Sequence, residues 1–291
     1  MKSKNSRKII VHILLLLGIT ITVFPFVWMI LTSFKTVGEA MQIPPTIFPK
    51  KFLTDAYSSI VTALPFGRVY LNTIISTVVT TVVQVLFCSM AAYAFARIEF
   101  PFKNAIFVLV LSVLMVPGQI FLIPQYRIVQ SLGLLDSMWA LILPGAISVY
   151  NMVIARTYFQ NSIPGEMLES ARLDGCDDWK ILINMILPLS KSIIAVLVLY
   201  YAVSHWNSYF DAFIYLSSES KFTLQVVLRN IMSSVKALEE MTTTVDQSVR
   251  AANIEVLKYA VIVFGSIPLI VLYPFVQKHF VKGVMIGSVK G

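Results

Sequence analysis

The sequence is poor in charge, in cysteine and in histidine. Only 13% of its 291 residues are Asp, Glu, Lys or Arg, about half the roughly 25% of an ordinary soluble domain. Its two cysteines lie far apart, Cys88 in an apolar run and Cys176 in a polar loop. That placement argues against a disulfide framework and against metal-ligand spacing, so no metal site is expected. No loop gathers carboxylates or histidines into a catalytic constellation, which counts against a membrane-embedded transferase. No Gly-Lys pair occurs anywhere. The phosphate-binding pattern G-x-x-x-x-G-K-[ST] is therefore absent, and the chain is expected to be no ATPase.

Apolar residues fill the space. They make up 57% of the chain, with a mean hydropathy of +0.78. A soluble core of this length has no use for so much apolar surface, but a bilayer does. Six stretches approach the roughly 20 residues a spanning helix needs: Ile9–Thr32, Asn72–Phe95, Ala105–Ile123, Met138–Ile154, Ser192–Trp206 extending towards Phe213, and Tyr259–Val276. The first is longer than a 7–15-residue signal-peptide core and reads as a retained helix. The fold class expected is all-α, a polytopic membrane bundle of about six transmembrane helices, forming one domain over 1–291 with its core at about 70–275.

The net charge of +8 is scattered between the apolar runs, without the basic stripe of a nucleic-acid reader, so no nucleic acid is expected. With the N-terminus inside, Lys and Arg are nearly twice as dense in inside segments as in outside ones. Both termini are therefore expected to be cytoplasmic. His12 and His205 are the clear ionisable groups within the spans, with Asp211 and Glu255 at edges. An ion-coupled carrier commonly marks its pathway with buried Asp, Glu or His, so this scarcity counts against one.

The segment of about 159–190 carries the most information. Ser162 is suited to cap a helix whose first turn holds Pro164 and Glu166, and Gly175 to end it in the left-handed conformation. Asp177 or Asp178 can cap a second helix running to Pro188. Two short helices meeting at a sharp turn are expected.

This segment resembles the EAA loop of binding-protein-dependent ABC importer permeases, whose pattern is E-A-A-x-x-x-G, nine residues, then I-x-L-P. Glu169, Ser170, Ala171 and Gly175 match it, with Ser170 for the middle alanine. Met185, Ile186, Leu187 and Pro188 follow after nine residues, with Met185 for the isoleucine. Ser33-Phe34-Lys35, Ala91–Arg97, Ile123-Pro124-Gln125-Tyr126, His205-Trp206-Asn207 and Gly283–Gly291 are similar to the carbohydrate branch, as in the maltose system.

The resemblance implies a type I importer transmembrane domain in the bacterial inner membrane. It would carry a sugar or oligosaccharide from an extracytoplasmic solute-binding protein, paired with a second permease and two ATPase subunits. This chain would bind no cofactor, ATP and Mg residing on the ATPases. Glu169, Ser170, Ala171, Arg172, Asp174, Gly175, Leu187 and Pro188 would couple to the ATPase, joined by Gly287, Ser288 and Lys290 of the tail. An external loop of about 214–254 would meet the binding protein. Trp206, Asn207, Tyr209 and Asp211 are candidates for the sugar path, among aromatics that equally fit an interfacial belt.

Overall fold

The computed structural model describes residues 2–40, 42–63, 65–240, 256–271 and 273–274. Among them every regular element is helical and none is a strand. The chain divides into two compact units, 1–66 with 227–268 and 67–226 with 269–291.

The first unit opens with α1 (Lys2–Ser33), then the short α2 (Val37–Ala40) and α3 (Asp55–Ala63). Its stretch Lys8–Ser33 reaches about 39 Å at 1.5 Å per residue, more than the roughly 30 Å of hydrocarbon. Every large apolar side chain from Ile9 to Phe26 is exposed, a surface suited to lipid or to another membrane helix and costly in water. Thr20 and Thr22 donate to the carbonyls of Leu16 and Gly18 at 2.8 Å, so neither hydroxyl faces the bilayer unpaired. At the end of α1 the Ser33 and Tyr57 hydroxyls meet at 2.7 Å, and the Lys35 ammonium donates to the Thr46 carbonyl while lying 4.4 Å above the Trp28 ring. Burial pushes the Glu39 carboxyl up. The Lys50 N–H, the Thr46 hydroxyl and the charges of Lys35 and Lys50 more than offset it, holding Glu39 below the usual range.

α4 (Phe66–Arg97), which belongs to the second unit from Gly67 on, is the other helix among the described residues long and apolar enough to span alone. Its pattern is the reverse of a soluble helix. Thr73, Ser76, Thr80, Gln84 and Ser89 are buried, whereas Leu71, Ile75, Val78, Val82 and Leu86 face outward. Polar residues turned inward on a membrane helix find partners there or line a path.

The third expected span, Ala105–Ile123, is broken. α5 (Lys103–Ser112) runs on as a 3-10 turn to Met115, and α6 (Leu122–Ser131) follows a second 3-10 turn; the two halves are bent by 99°. Pro117 causes the break, since it has no N–H and forces the preceding residue out of the helix; Val116 is extended at φ −90, ψ 122. The fourth, Met138–Ile154, is no continuous helix either. α7 (Trp139–Ile142) stops short of Pro144, and Ser148 caps a new helix, α8 (Val149–Ser162), through the Asn151 N–H.

After α8 come α9 (Gly165–Leu173), α10 (Asp178–Ile181), a π turn (Leu182–Ile186), α11 (Leu187–Leu189) and α12 (Lys191–Asn207). The Asp178–Leu189 stretch is bent by 85° against α12. The fifth span stops at Asn207, where Ser208 is extended, so Phe213 belongs to a separate α13 (Phe210–Tyr215). Cys88, Met152, Phe159, Ile181 and Leu197 are fully buried where α4, α8, α10 and α12 pack. The chain continues into α14 (Leu224–Glu240) and an apolar helix, α15 (Val256–Val271). The expected end of the sixth span at Val276 lies outside the described residues. Among those residues, two helices can cross a membrane alone, or up to four spans form if each bent pair counts as one.

Candidate functional site: the α9–α10 elbow

The elbow starts later than the sequence suggests. Ile163, held extended at φ −115, ψ 118 by the following proline, ends α8. Ser162 is therefore the last residue of α8, not a cap, and α9 begins at Gly165 with Glu166 in its first turn.

The end of α9 is built as expected. Gly175 is left-handed at φ +81. The Cys176 N–H donates to the Ala171 carbonyl and the Gly175 N–H to the Arg172 carbonyl, both at 3.0 Å, which is the paired closure of a Schellman turn. No atom lies within 4 Å of where a Gly175 Cβ would sit. Backbone conformation requires the glycine here, not close approach. Asp177 then caps α10, accepting from the Lys180 N–H at 2.8 Å. The π turn ahead of Pro188 widens the backbone where the proline ring would strike the Asn184 carbonyl.

The elbow has two faces. Leu168, Ala171, Ile181, Leu182 and Ile186 turn inward onto α4 and α8, so the small side chain of Ala171 serves the chain's own packing. Glu169, Ser170, Arg172, Asp174 and Pro188 are exposed, and Leu187 is half-buried. Leu173, Trp179 and Ile183 are 89%, 58% and 56% exposed, an apolar ridge left open by the described residues.

Two fastenings that sequence reasoning missed tie the elbow to α4. The Asp178 carboxylate accepts from the Tyr93 hydroxyl at 2.9 Å and from the Arg172 guanidinium at 3.1 Å; that bond and charge raise the Arg172 pKa further. Arg97, the last residue of α4, donates to the carbonyls of Phe159 (2.8 Å), Gln160 (3.0 Å) and Ile163. It satisfies the open carbonyls at the end of α8 and places a cation at the negative end of that helix. Arg156 lies over the Phe107 ring at 4.1 Å and donates to the Phe95 carbonyl. A cation closing α4 was visible in the sequence, but its partners lie more than sixty residues away.

The four sugar-path candidates do not converge on one point. Trp206 is buried, with its ring 6.3 Å from Tyr70. Asn207 donates to the Val203 carbonyl of its own helix at 2.9 Å. Tyr209 is half-buried with its ring against Phe210, and Asp211 is exposed, accepting from the Ser208 hydroxyl at 3.1 Å. Gly287, Ser288 and Lys290 lie outside the described residues.

The family model for the inner membrane component of binding-protein-dependent transport systems matches residues 84–286, a stretch that includes the whole elbow. The chain belongs to this family. Protein LplC of Bacillus subtilis (strain 168) is 41% identical over 283 residues, 96% of this chain and 94% of its own length. The polygalacturonan/rhamnogalacturonan transport system permease protein YtcP of the same bacterium is 38% identical over 291 residues, covering all of both chains. Among solved structures, a chain of a bacterial ABC transporter involved in the import of the acidic polysaccharide alginate is similar at a TM-score of 0.81. It is 27% identical, over 96% of this chain and 98% of that one. The chain is thus an inner-membrane component of a bacterial binding-protein-dependent transport system.

Proposed function

We propose that this inner-membrane component is one permease of an ATP-driven importer that carries a sugar or oligosaccharide from an extracytoplasmic solute-binding protein into the cytoplasm. The observation that carries the reading is the elbow. A helix pair exposes the ridge of Leu173, Trp179 and Ile183 and is fastened to α4 through Asp178, while Arg97 of α4 holds the end of α8 that leads into it. A groove on a separate ATPase can hold that ridge. Closure of the ATPases would then swing the elbow, and α4 with it, between inward- and outward-facing arrangements. The saccharide cargo is taken from the polysaccharides that name YtcP and the alginate importer.

The assembly pairs this chain, acting as one transmembrane domain, with a second permease and two ATPase subunits that hold ATP and Mg. Six spans with both termini cytoplasmic would be built from α1, α4, the bent α5–α6 pair, the separate helices α7 and α8 together, α12 and α15. Glu169, Ser170, Arg172, Asp174 and Gly175 belong to the ATPase-facing turn, and Gly287, Ser288 and Lys290 to a tail that reaches the ATPases. Trp206, Asn207, Tyr209 and Asp211 flank the sugar path.

The test is reconstitution of the chain with its neighbouring permease, ATPase and binding protein in liposomes. Uptake of oligosaccharide that needs ATP and the loaded binding protein is expected. Uptake driven by an ion gradient without ATP would make the chain a secondary carrier instead.

A further inference from the structure

A polar cavity lies beside the break between α12 and α13, lined by Ser76 and Thr80 of α4, His205, Ser208, Asp211 and Thr223. Ser76 and Thr80 stand ten and fourteen residues past Phe66, about 15 and 21 Å along a helix of roughly 48 Å. The cavity therefore lies within the length of α4, in the half that starts at Phe66. Helical backbone gives way at Ser208, which is extended. Irregular backbone at membrane depth is tolerated where it is packed in protein or lines a watery path. Asp211 is exposed beside this break, and a carboxylate at such depth turns towards water or a partner, not lipid.

Two further observations point to a ligand. The Thr223 hydroxyl belongs to a residue only 4% exposed and has no hydrogen-bond partner among the described residues. His205 is held by the Gln84 side chain at 2.8 Å, while Gln84 also donates to the Gly145 carbonyl. A Cβ on Gly145 would stand 3.0 Å from the Gln84 amide nitrogen. The His205 side of the cavity is thus fixed, and the partnerless Thr223 hydroxyl is enclosed in the cavity's lining.

Size and charge define what fits. The free volume is about 20 Å³, and a single water needs roughly 10–15 Å³. One hydroxyl group enters, but a sugar ring does not. The described lining carries one carboxylate and neither lysine nor arginine. A hydroxyl donates to that carboxylate, whereas a second carboxylate beside it is repelled.

We propose that this cavity is a hydroxyl-binding subsite on the substrate path, where the Asp211 carboxylate accepts from a neutral saccharide hydroxyl and disfavours a uronate. The inference rests on the import reading above for the saccharide, though not for the path itself. It assigns a substrate contact to this subunit and predicts a preference opposite to the acidic polysaccharide that names the alginate importer.

The test separates path from cargo. In the assembled importer, in vesicles, Thr223→Cys and Ser208→Cys are made in a chain carrying Cys176→Ser with the buried Cys88 kept. Cationic and anionic methanethiosulfonates are applied in the resting state and during ATP turnover. Their rates are normalised to those with a free thiol. Labelling during turnover is expected at both positions, the cationic reagent faster by on the order of tenfold, and Asp211→Asn should bring the two rates together. No labelling at either position in any state, or equal rates in the Asp211 protein, overturns the subsite.

Uptake of an arabino-oligosaccharide against an oligogalacturonide of equal length then tests the cargo. Preference for the neutral sugar, lost in Asp211→Asn, supports the inference. Uptake of the uronate at least as well overturns it while sugar import stands. Charge-selective labelling with ATP-driven uptake of neither saccharide keeps the path but removes the saccharide assignment, and the sugar reading of function with it.

Discussion

The Tyr93 hydroxyl and the Asp178 carboxylate, 85 residues apart in sequence, meet at 2.9 Å. The oxygen that accepts from Tyr93 also accepts from Arg172 at 3.1 Å. One atom thereby joins α4, the end of α9 and the start of α10, so the elbow cannot tilt without either moving α4 or breaking this junction. Tyr93→Phe removes a single donor and leaves the packing in place. Normal assembly is expected, with ATP hydrolysis less responsive to loaded binding protein and uptake reduced about fivefold, the equivalent of one hydrogen bond of ~1 kcal/mol. Asp178→Asn should do the same, and the double variant no more than either alone. Additive losses in that cycle would show that the two residues act separately.

Gly175 separates two explanations of the turn by chemistry alone. Nothing crowds its Cβ position, and only its φ of +81 is special. Gly175→Asn should retain most uptake, because asparagine tolerates the left-handed region. Gly175→Val should lose ATPase association or uptake, at a conformational cost of about 1–2 kcal/mol. Equal damage by both variants would mean that a partner surface, not the backbone, demands glycine.

Arg97 closes α8 from another helix. Arg97→Ala leaves the carbonyls of Phe159, Gln160 and Ile163 without this donor, at a cost on the order of 2 kcal/mol. The purified complex should unfold several degrees lower, and Arg97→Lys should recover only part of the loss, since an ammonium lacks the planar fork. Thermal midpoints in detergent measure this directly.

Asp136 gives a pH-dependent prediction. Its carboxylate accepts from the Ser218 hydroxyl at 2.6 Å, from Lys221 at 2.9 Å and from the Ser218 and Ser217 N–H groups. Those bonds hold it well below the usual carboxylate range. A depressed pKa means its stabilisation is fully present above the ordinary value of about 3.9 and fades as pH falls through the depressed one. The Ser217–Lys221 corner should therefore stay protected from neutral pH down to about pH 4 and open only in stronger acid. Asp136→Asn should speed amide exchange at Ser217 and Ser218 already at pH 7. Protection in that variant equal to the wild type would show that the carboxylate does not organise the corner.

The sequence by itself determined the class, the family and the turn chemistry. Apolar runs without charge leave a chain no stable place but a bilayer, and local spacing around Gly175 and Asp177 fixes how α9 ends and α10 begins. Such signals are short-range, since backbone conformation and capping depend on residues a few positions apart. Tertiary structure decided the rest. Pro117 and Pro144 were visible as interruptions, but whether a proline kinks a span or splits it depends on what satisfies the freed backbone. Trp206 and Asn207 fit a sugar path by type, but that Trp206 is buried and that Asn207 donates to its own helix could not be read from type. The cavity forms where Asp211, one of the sequence candidates, and Thr223 come together with Ser76 and Thr80, more than 120 residues earlier. Arg97 and Tyr93 likewise gain their roles from partners brought in by the fold, because a hydrogen bond between distant segments exists only once packing has placed both of its ends.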